Sequence, residues 1–347
     1  MNRARLAVLA AGLVLASGAR ASDDAGDWLV QMSQAARMSN YEGVLVYRGD
    51  DILETFRVTH RFQDGSERER VQSMTGEVRE VLKQNNKVTC LLPKDQRLTT
   101  ANRPTTPKSL FKPLSRERLD QIAAVYELRE LGKSRIAGRN CRGIAIAPRD
   151  EFRYGYELWA DAESRVPLKL SLVAPDGRLL EQMFFTEVRF PSSIPESAFA
   201  ADVPAAQARE STAAAADAIA QAHEREPVTD EGPDAAPVQF SKLPPGFRVV
   251  KRDLQASPAG IREHLLLSDG LSAVSVYRVL RRSPEAAAAA AAQRIDRMGP
   301  LNAYSRSVGQ VQITVVGEAP RRTVQMIGDN IDSAFAPTSA ASATPPR

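Results

Sequence analysis

The three histidines are the side chains of this chain best suited to acid–base catalysis or metal binding, and they lie in different segments. His223 and Glu224 begin the pattern of a zinc protease, which needs a second histidine one helical turn later. Pro227 occupies that position and would also break the helix. His60 falls in a strand-like run, where a hydrogen-bonded structural role is favoured over that of a catalytic base. The histidines therefore predict no metal site and no catalytic site.

Gly132-Lys133-Ser134 has the form of the end of a phosphate-binding loop. The glycine that should open such a loop is replaced by Glu127, and the segment leads into a strand-like run rather than a helix. The sequence also contains no G-x-S-x-G nucleophile elbow and no dinucleotide-binding fingerprint. We therefore expect a binding protein that is not an enzyme and that carries no cofactor.

Cys90 and Cys141 are the only two cysteines. Each lies in a strand-like run, so a disulfide would form if the two strands were neighbours and the compartment were oxidising. We expect this disulfide, and two buried free thiols remain the alternative. No C-x-x-C motif is present, which argues against a thiol oxidoreductase.

A proline-rich stretch from 93 to 114 lies inside a strongly basic segment. Residues 79–118 contain ten basic and three acidic side chains. The candidate contacts to anionic lipid or lipopolysaccharide are Lys94, Arg97, Arg103 and Lys108. A loop of scattered, solvated charge is the alternative interpretation.

The N-terminus has the pattern of a secretory signal peptide. Arg3 and Arg5 precede a short apolar stretch, and small residues predict cleavage between Ala21 and Ser22. Cleavage would remove three arginines from a precursor with a formal net charge of +4. The mature protein is then nearly neutral, so no nucleic-acid partner is expected.

The first half of the mature chain reads as a mostly antiparallel sheet with helices packed on it. Apolar residues recur at helical spacing from Asp23 to about Ser39, and Ser115 is a candidate N-cap for a second helix. Short strand-like runs separated by turn residues occupy 41–92 and 126–190.

A change in composition divides the chain of 347 residues into two domains. Residues 201–239 are rich in alanine, acidic residues and proline, as in a linker. They separate a domain at 22–200 from a second one at 240–332. The tail at 333–347 is expected to be disordered.

The second domain begins with three strand-like runs between 247 and 280, joined in part by an Asp269-Gly270 turn. Ser283 is a candidate start for an alanine-rich helix that Gly299-Pro300 would end. A final strand at 311–317 then precedes a short amphipathic helix.

Charge is distributed unevenly over these regions. Residues 240–347 contain 14 basic and eight acidic residues, whereas the linker contains two and eight. The candidate contacts to an acidic protein partner are Arg248, Lys251, Arg252, Arg278, Arg281 and Arg282.

An ordered set of short runs across both domains resembles the MucB/RseB family of regulators of the sigma-E (AlgU-type) envelope-stress response. In the first domain the runs are 27–29 (DWL), 41–47 (YEGVLVY), 76–81 (GEVREV), 135–139 (RIAGR), 148–150 (PRD), 153–158 (RYGYEL) and 165–169 (RVPLK). In the second domain they are 243–247 (LPPGF), 268–271 (SDGL) and 313–318 (ITVVGE). No single run is specific, but their order and spacing are.

The resemblance implies an α+β protein. Its first domain would be a lipid-sensing, unclosed antiparallel β-barrel with helices, similar to the carriers LolA and LolB, and its second a smaller α+β domain. The protein would be periplasmic, form dimers or larger oligomers, and bind the periplasmic domain of an RseA/MucA-like anti-sigma factor. It would shield that factor from the site-1 protease DegS until lipid or lipopolysaccharide releases it.

A periplasmic lipid or lipoprotein carrier of the LolA/LolB type is the alternative function. That function needs only the first domain and leaves residues 240–330 without a role, which favours the regulator.

Overall fold

The chain folds into two antiparallel sheets with helices packed against them. The computed structural model describes residues 17–50, 52–76, 80–85, 87–91, 114–200, 238–257, 260–281 and 294–332. One sheet lies before the predicted linker and the other after it. The fold is α+β, as the sequence predicts.

The first sheet has ten strands in the order β5-β4-β3-β2-β1-β10-β9-β8-β7-β6. Its strands are β1 (Tyr41–Gly49), β2 (Ile52–Gln63), β3 (Ser66–Ser73), β4 (Glu80–Gln84), β5 (Lys87–Leu91), β6 (Tyr126–Ile136), β7 (Arg139–Pro148), β8 (Gly155–Asp161), β9 (Pro167–Val173) and β10 (Leu179–Arg189). Strands β5 and β6 are the two edges and do not pair with one another in the described part of the chain. The barrel is therefore open, as expected.

Tight turns between these strands follow from their sequence. Asp50 and Asp64 have φ angles of 44° and 50°, and Gly65 has 73°. These values lie in the left-handed region that Asp and Gly tolerate best. Strands β1, β2 and β3 consequently form two consecutive hairpins, in agreement with the strand-like runs and turn residues of the sequence.

Helix α1 (Ser17–Met38) packs its apolar side on the sheet. Trp28, Leu29 and Met32 are buried in a cluster with strand residues such as Ile144 and Leu158. The shorter helix α2 (Arg116–Ile122) joins the same cluster. Its first turn is capped by the Ser115 hydroxyl, which accepts a hydrogen bond from the Arg118 amide at 3.2 Å, so the predicted N-cap is confirmed.

The second sheet has six strands in the order β11-β12-β13-β16-β15-β14. The strands are β11 (Arg248–Ser257), β12 (Gly260–Ser268), β13 (Ala273–Arg281), β14 (Arg294–Met298), β15 (Leu301–Val308) and β16 (Val311–Gly317). Helix α3 (Arg321–Asn330) buries Val324 and Ile327 against the sheet. A Cβ on Gly328 would overlap the Tyr304 ring, so glycine allows this close approach.

One expectation for the second domain was wrong, and another lies outside the described residues. Gly299-Pro300 does not end a helix; it is the turn between β14 and β15, two strands that we did not predict. Most of the expected alanine-rich helix lies outside the described residues. The strand at 311–317 and the short helix after it are confirmed.

Candidate functional site at the domain junction

A buried polar site joins the two sheets, and Arg153 is its centre. Arg153 lies between β7 and β8 and is fully buried. Its Nε and Nη2 atoms each donate to a carboxylate oxygen of Asp150 at 3.0 Å. The same guanidinium reaches the second domain, where Nη1 contacts Asp269 Oδ2 at 2.7 Å and Nη2 contacts the Pro245 carbonyl at 2.5 Å.

Asp269 is placed by the β12–β13 turn, where it organises its own backbone. Its Oδ1 accepts hydrogen bonds from the amides of Leu271 and Ser272 at 2.9 and 2.7 Å. Its Oδ2 accepts from Arg153 and from the Tyr126 hydroxyl, the latter at 3.0 Å. Burial raises the pKa of Asp269, while Arg153 opposes that rise. The Asp269 carboxylate therefore binds groups from both domains.

Aromatic rings exclude water from this ion pair. The Arg153 guanidinium lies 5.3 Å from the Tyr126 ring centroid and 5.4 Å from that of Phe247. Such contacts stabilise a desolvated cation. Gly246, with φ at 76°, brings the second domain against Val125.

Further hydrogen bonds between the domains involve Phe152 and Tyr154, the two neighbours of Arg153 in the chain. Tyr154 donates through its hydroxyl to the Pro300 carbonyl at 3.1 Å and accepts from Asn302 at 3.0 Å. The Thr323 hydroxyl at the start of α3 donates to the Phe152 carbonyl at 2.6 Å. The two domains therefore dock through a buried polar core that both contribute.

The junction was not predicted, although both halves lie in runs that carry the family resemblance. Arg153 opens the run at 153–158 and Asp269 belongs to the run at 268–271. A charged residue between two aromatic residues, Phe152 and Tyr154, was the available signal for a buried arginine. Nothing in the sequence identified its partner, 116 residues away.

The two histidines in the described part of the chain lie in different sheets. His60 lies between the Ser39 carbonyl and Glu67, whereas His264 stacks on Tyr277 in the other sheet. In the same ranges, no group of three or more His, Cys, Asp or Glu side chains could hold a metal ion.

Two of the six basic residues predicted to contact a protein partner, Arg252 and Arg278, form ion pairs within the second domain. Arg278 is 2% exposed and lies 3.1 Å from Glu263, which also accepts from Arg252 at 2.8 Å. The prediction is corrected for these two because their side chains lie on the same face as the domain core, where Glu263 compensates their charge. Arg248 is exposed and Lys251 half-buried. The side chain of Arg281 and all of Arg282 lie outside the described residues.

The predicted disulfide is absent, because Cys141 is a free, buried thiol. Burial raises the pKa of this thiol to about 11, so it is unreactive at neutral pH. Its strand, β7, is not a neighbour of β5, which contains Cys90.

The remaining predicted residues are not placed by the structure. Lys94, Arg97, Arg103 and Lys108 lie outside the described ranges. The expected cleavage point, Ala21–Ser22, falls on the backbone of α1. Among the helices in the described part of the chain, none is both long and apolar enough to cross a membrane.

An open antiparallel sheet covered by helices and docked to a smaller α+β domain defines a two-domain α+β protein. Family models for the MucB/RseB N-terminal domain and the MucB/RseB C-terminal domain match residues 24–203 and 233–332. The chain therefore belongs to the MucB/RseB family.

Similar proteins agree with this assignment over nearly the full length. The sigma factor AlgU regulatory protein MucB of Pseudomonas aeruginosa is 29% identical over 333 residues, covering 93% of this chain and 96% of that protein. The sigma-E factor regulatory protein RseB of Escherichia coli K12 is 26% identical over 336 residues, covering 94% and 96%. The structure also matches the P. aeruginosa MucA/MucB complex with a TM-score of 0.65 and 26% identity, over 89% of this chain and 98% of that one.

Proposed function

We propose that this protein binds the periplasmic domain of a MucA- or RseA-like anti-sigma factor and thereby restrains sigma-E-type signalling. The observation that carries the proposal is the likeness, across both domains, to MucB in its complex with MucA. The buried junction around Arg153 supports it, because a partner could then contact both domains as one surface.

The proposal extends to location and domain roles. The precursor is exported and cleaved between Ala21 and Ser22, and the mature protein acts in the periplasm as a dimer or larger oligomer. Residues 22–200 sense lipid or lipopolysaccharide, while residues 240–332, after the linker at 201–239, bind the anti-sigma factor. Binding shields that factor from site-1 cleavage by DegS, and the lipid signal releases it. This mechanism is steric and uses no chemical step.

A binding and protection assay tests the proposal. The mature chain would be titrated calorimetrically with the periplasmic domain of the anti-sigma factor from the same organism. DegS cleavage of that domain would then be followed with and without the mature chain. A complex and slower cleavage are expected. No complex and unchanged cleavage would refute the regulator, and lipoprotein extraction from membranes without a complex would favour the carrier.

Charge reversal on the second domain is expected to weaken the complex. Arg248→Glu with Lys251→Glu should raise Kd about tenfold at low salt, since exposed charges at an interface mainly govern encounter. The difference should shrink with added salt because screening weakens both the attraction in the wild-type complex and the repulsion in the variant. Calorimetry measures the change, and Lys133→Glu on exposed β6 is the matched control. Equal Kd values for the two variants would show that Arg248 and Lys251 do not contact the anti-sigma factor.

Removing the basic side chains of the proline-rich stretch is expected to weaken lipid binding. Each basic residue near an anionic surface contributes about 1 kcal/mol. Combined alanine substitution of Lys94, Arg97, Arg103 and Lys108 should therefore reduce sedimentation with phosphatidylglycerol vesicles, and most strongly at low salt. Unchanged binding at low salt would refute this contact.

A further inference from the structure

A row of ionisable side chains continues the apolar core of the first domain beneath the end of α1. His60 follows Val58 by two residues on β2, and Glu69 precedes Val71 by two residues on β3. Both valines belong to the buried cluster, and alternation places the ionisable pair on the same face. His60 and Glu69 are directly paired across the strands, and both are buried.

His60 ties the end of α1 to the sheet. Its Nδ1 donates to the Ser39 carbonyl at 2.7 Å, and its Nε2 lies 3.1 Å from Glu67 Oε1. Lys83 Nζ lies 3.4 Å from the other oxygen of Glu67, which favours the ionised carboxylate. Both ring nitrogens thus face acceptors, so the ring is fully hydrogen-bonded when it carries two protons.

Other described groups on β1, β4 and α1 also face this row. Tyr41 on β1 stacks on the His60 ring at 4.6 Å and donates to the Ala36 carbonyl at 3.3 Å. Lys83 on β4 is paired with Glu69 across the strands. Among the described residues of α1, the last turn adds backbone carbonyls, and its Arg37 points to solvent.

The buried carboxyl group of Glu69 makes the stability of this cluster depend on pH. Burial raises the pKa of Glu69 from 4.5 to about 7, although Lys83 lowers it in part. The folded protein therefore binds this proton more tightly than the unfolded chain does. The resulting stabilisation is complete below about pH 4.5 and is lost as the pH rises through about 7. Above that value two carboxylates, Glu67 and Glu69, share one buried face.

We propose that His60, Glu67, Glu69 and Lys83 form a proton-controlled clasp between the end of α1 and the sheet, which holds at mildly acidic pH and loosens as the solution becomes alkaline. Because α1 covers the apolar face of the open sheet, the clasp controls access to that face. This inference does not depend on the anti-sigma factor.

Amide hydrogen exchange of the mature chain at pH 5.5 and pH 8 tests the clasp. After correction for intrinsic rates, exchange in residues 36–41 should be about thirtyfold faster at pH 8, since each pH unit between about 4.5 and about 7 changes the opening equilibrium about tenfold. Glu69→Gln should abolish this difference and keep the slow rate at pH 8. Glu187→Gln, an exposed change on β10 of the same sheet, should leave it intact.

A second variant tests the clasp if the first one does not fold. Lys83→Met removes the half-buried cation that lowers the pKa of Glu69, so the midpoint of the exchange profile should move to higher pH. An unmoved midpoint would overturn the proposal. So would a wild-type protein whose exchange in residues 36–41 does not depend on pH, or a Glu69→Gln variant with the wild-type profile.

Discussion

Replacing Arg153 with methionine is expected to undock the two domains while leaving each one folded. The substitution leaves Asp269 buried without its cation, and removing one partner of a buried ion pair costs about 3–5 kcal/mol. The Asp150 carboxylate and the Pro245 carbonyl lose their donors at the same time. Each domain keeps its own apolar cluster, so the loss falls on the contact between them.

Calorimetry and solution scattering measure this outcome. Wild-type protein should unfold in one main transition, whereas Arg153→Met should show two transitions and a larger radius of gyration. The matched control is Arg322→Met, which removes an exposed ion pair with Glu151 at the rim of the same junction. Exposed pairs contribute about 0–1 kcal/mol, so the control should keep the single transition.

A compensating variant separates the ion pair from general packing. Asp269→Asn can retain the oxygen that accepts from the Leu271 and Ser272 amides while removing the buried charge. Combined with Arg153→Met, it should restore part of the stability lost in the single variant, because neither buried charge remains. If Arg153→Met unfolds in one transition at the wild-type temperature, the junction does not hold the domains together.

The hairpins of the first domain could be predicted because their signals are local. Turn residues such as Asp64 and Gly65 tolerate left-handed backbone angles better than most residues do, and the strands beside them alternate. The Ser115 cap is equally local, since hydroxyl and amide are three residues apart. These features depend on a few neighbouring residues and are therefore visible in a single sequence.

Strands β14 and β15 were missed because pairing within the sheet overrides local preference there. A run of alanines favours a helix, and Gly299-Pro300 is a strong stop signal for one. The structure uses the same two residues as a strand turn because β15 pairs with β16, which buries Tyr304 and Asn302. Strand β16 is held in turn by β13, which lies well before it in the chain.

The roles of the charged residues were hardest to predict because their partners lie on other strands or in the other domain. Arg252 and Arg278 look like surface cations in the sequence, and only the register of β11, β12 and β13 shows that Glu263 lies between them. The Arg153–Asp269 pair links two domains, so it is visible only once they are docked. Sequence pattern thus predicts elements better than it predicts the partners of buried charge.

Truncating Leu29 to alanine is expected to be the most damaging single change within α1. Leu29 is fully buried between the helix and the sheet, among Ile144, Leu158 and Leu170. Leucine-to-alanine changes at such sites cost about 2–5 kcal/mol because lost burial and the remaining cavity add together. Urea denaturation of the mature chain should show a lower midpoint with an unchanged slope. Gln34→Ala, an exposed change on the same helix, is the control and should have little effect.

The Leu29→Ala variant also tests whether contacts other than those of Leu29 hold α1 on the sheet. The guanidiniums of Arg142 and Arg165 lie 4.8 and 4.3 Å from the Trp28 ring, and the truncation of Leu29 should leave these contacts in place. The helix should therefore stay docked over a cavity lined by apolar side chains, and such a cavity stays dry and accepts small apolar ligands. Leu29→Met, which conserves volume, should cost less than about 1.5 kcal/mol. Equal losses for the alanine and methionine variants would show that the packing of Leu29 does not fix α1 on the sheet.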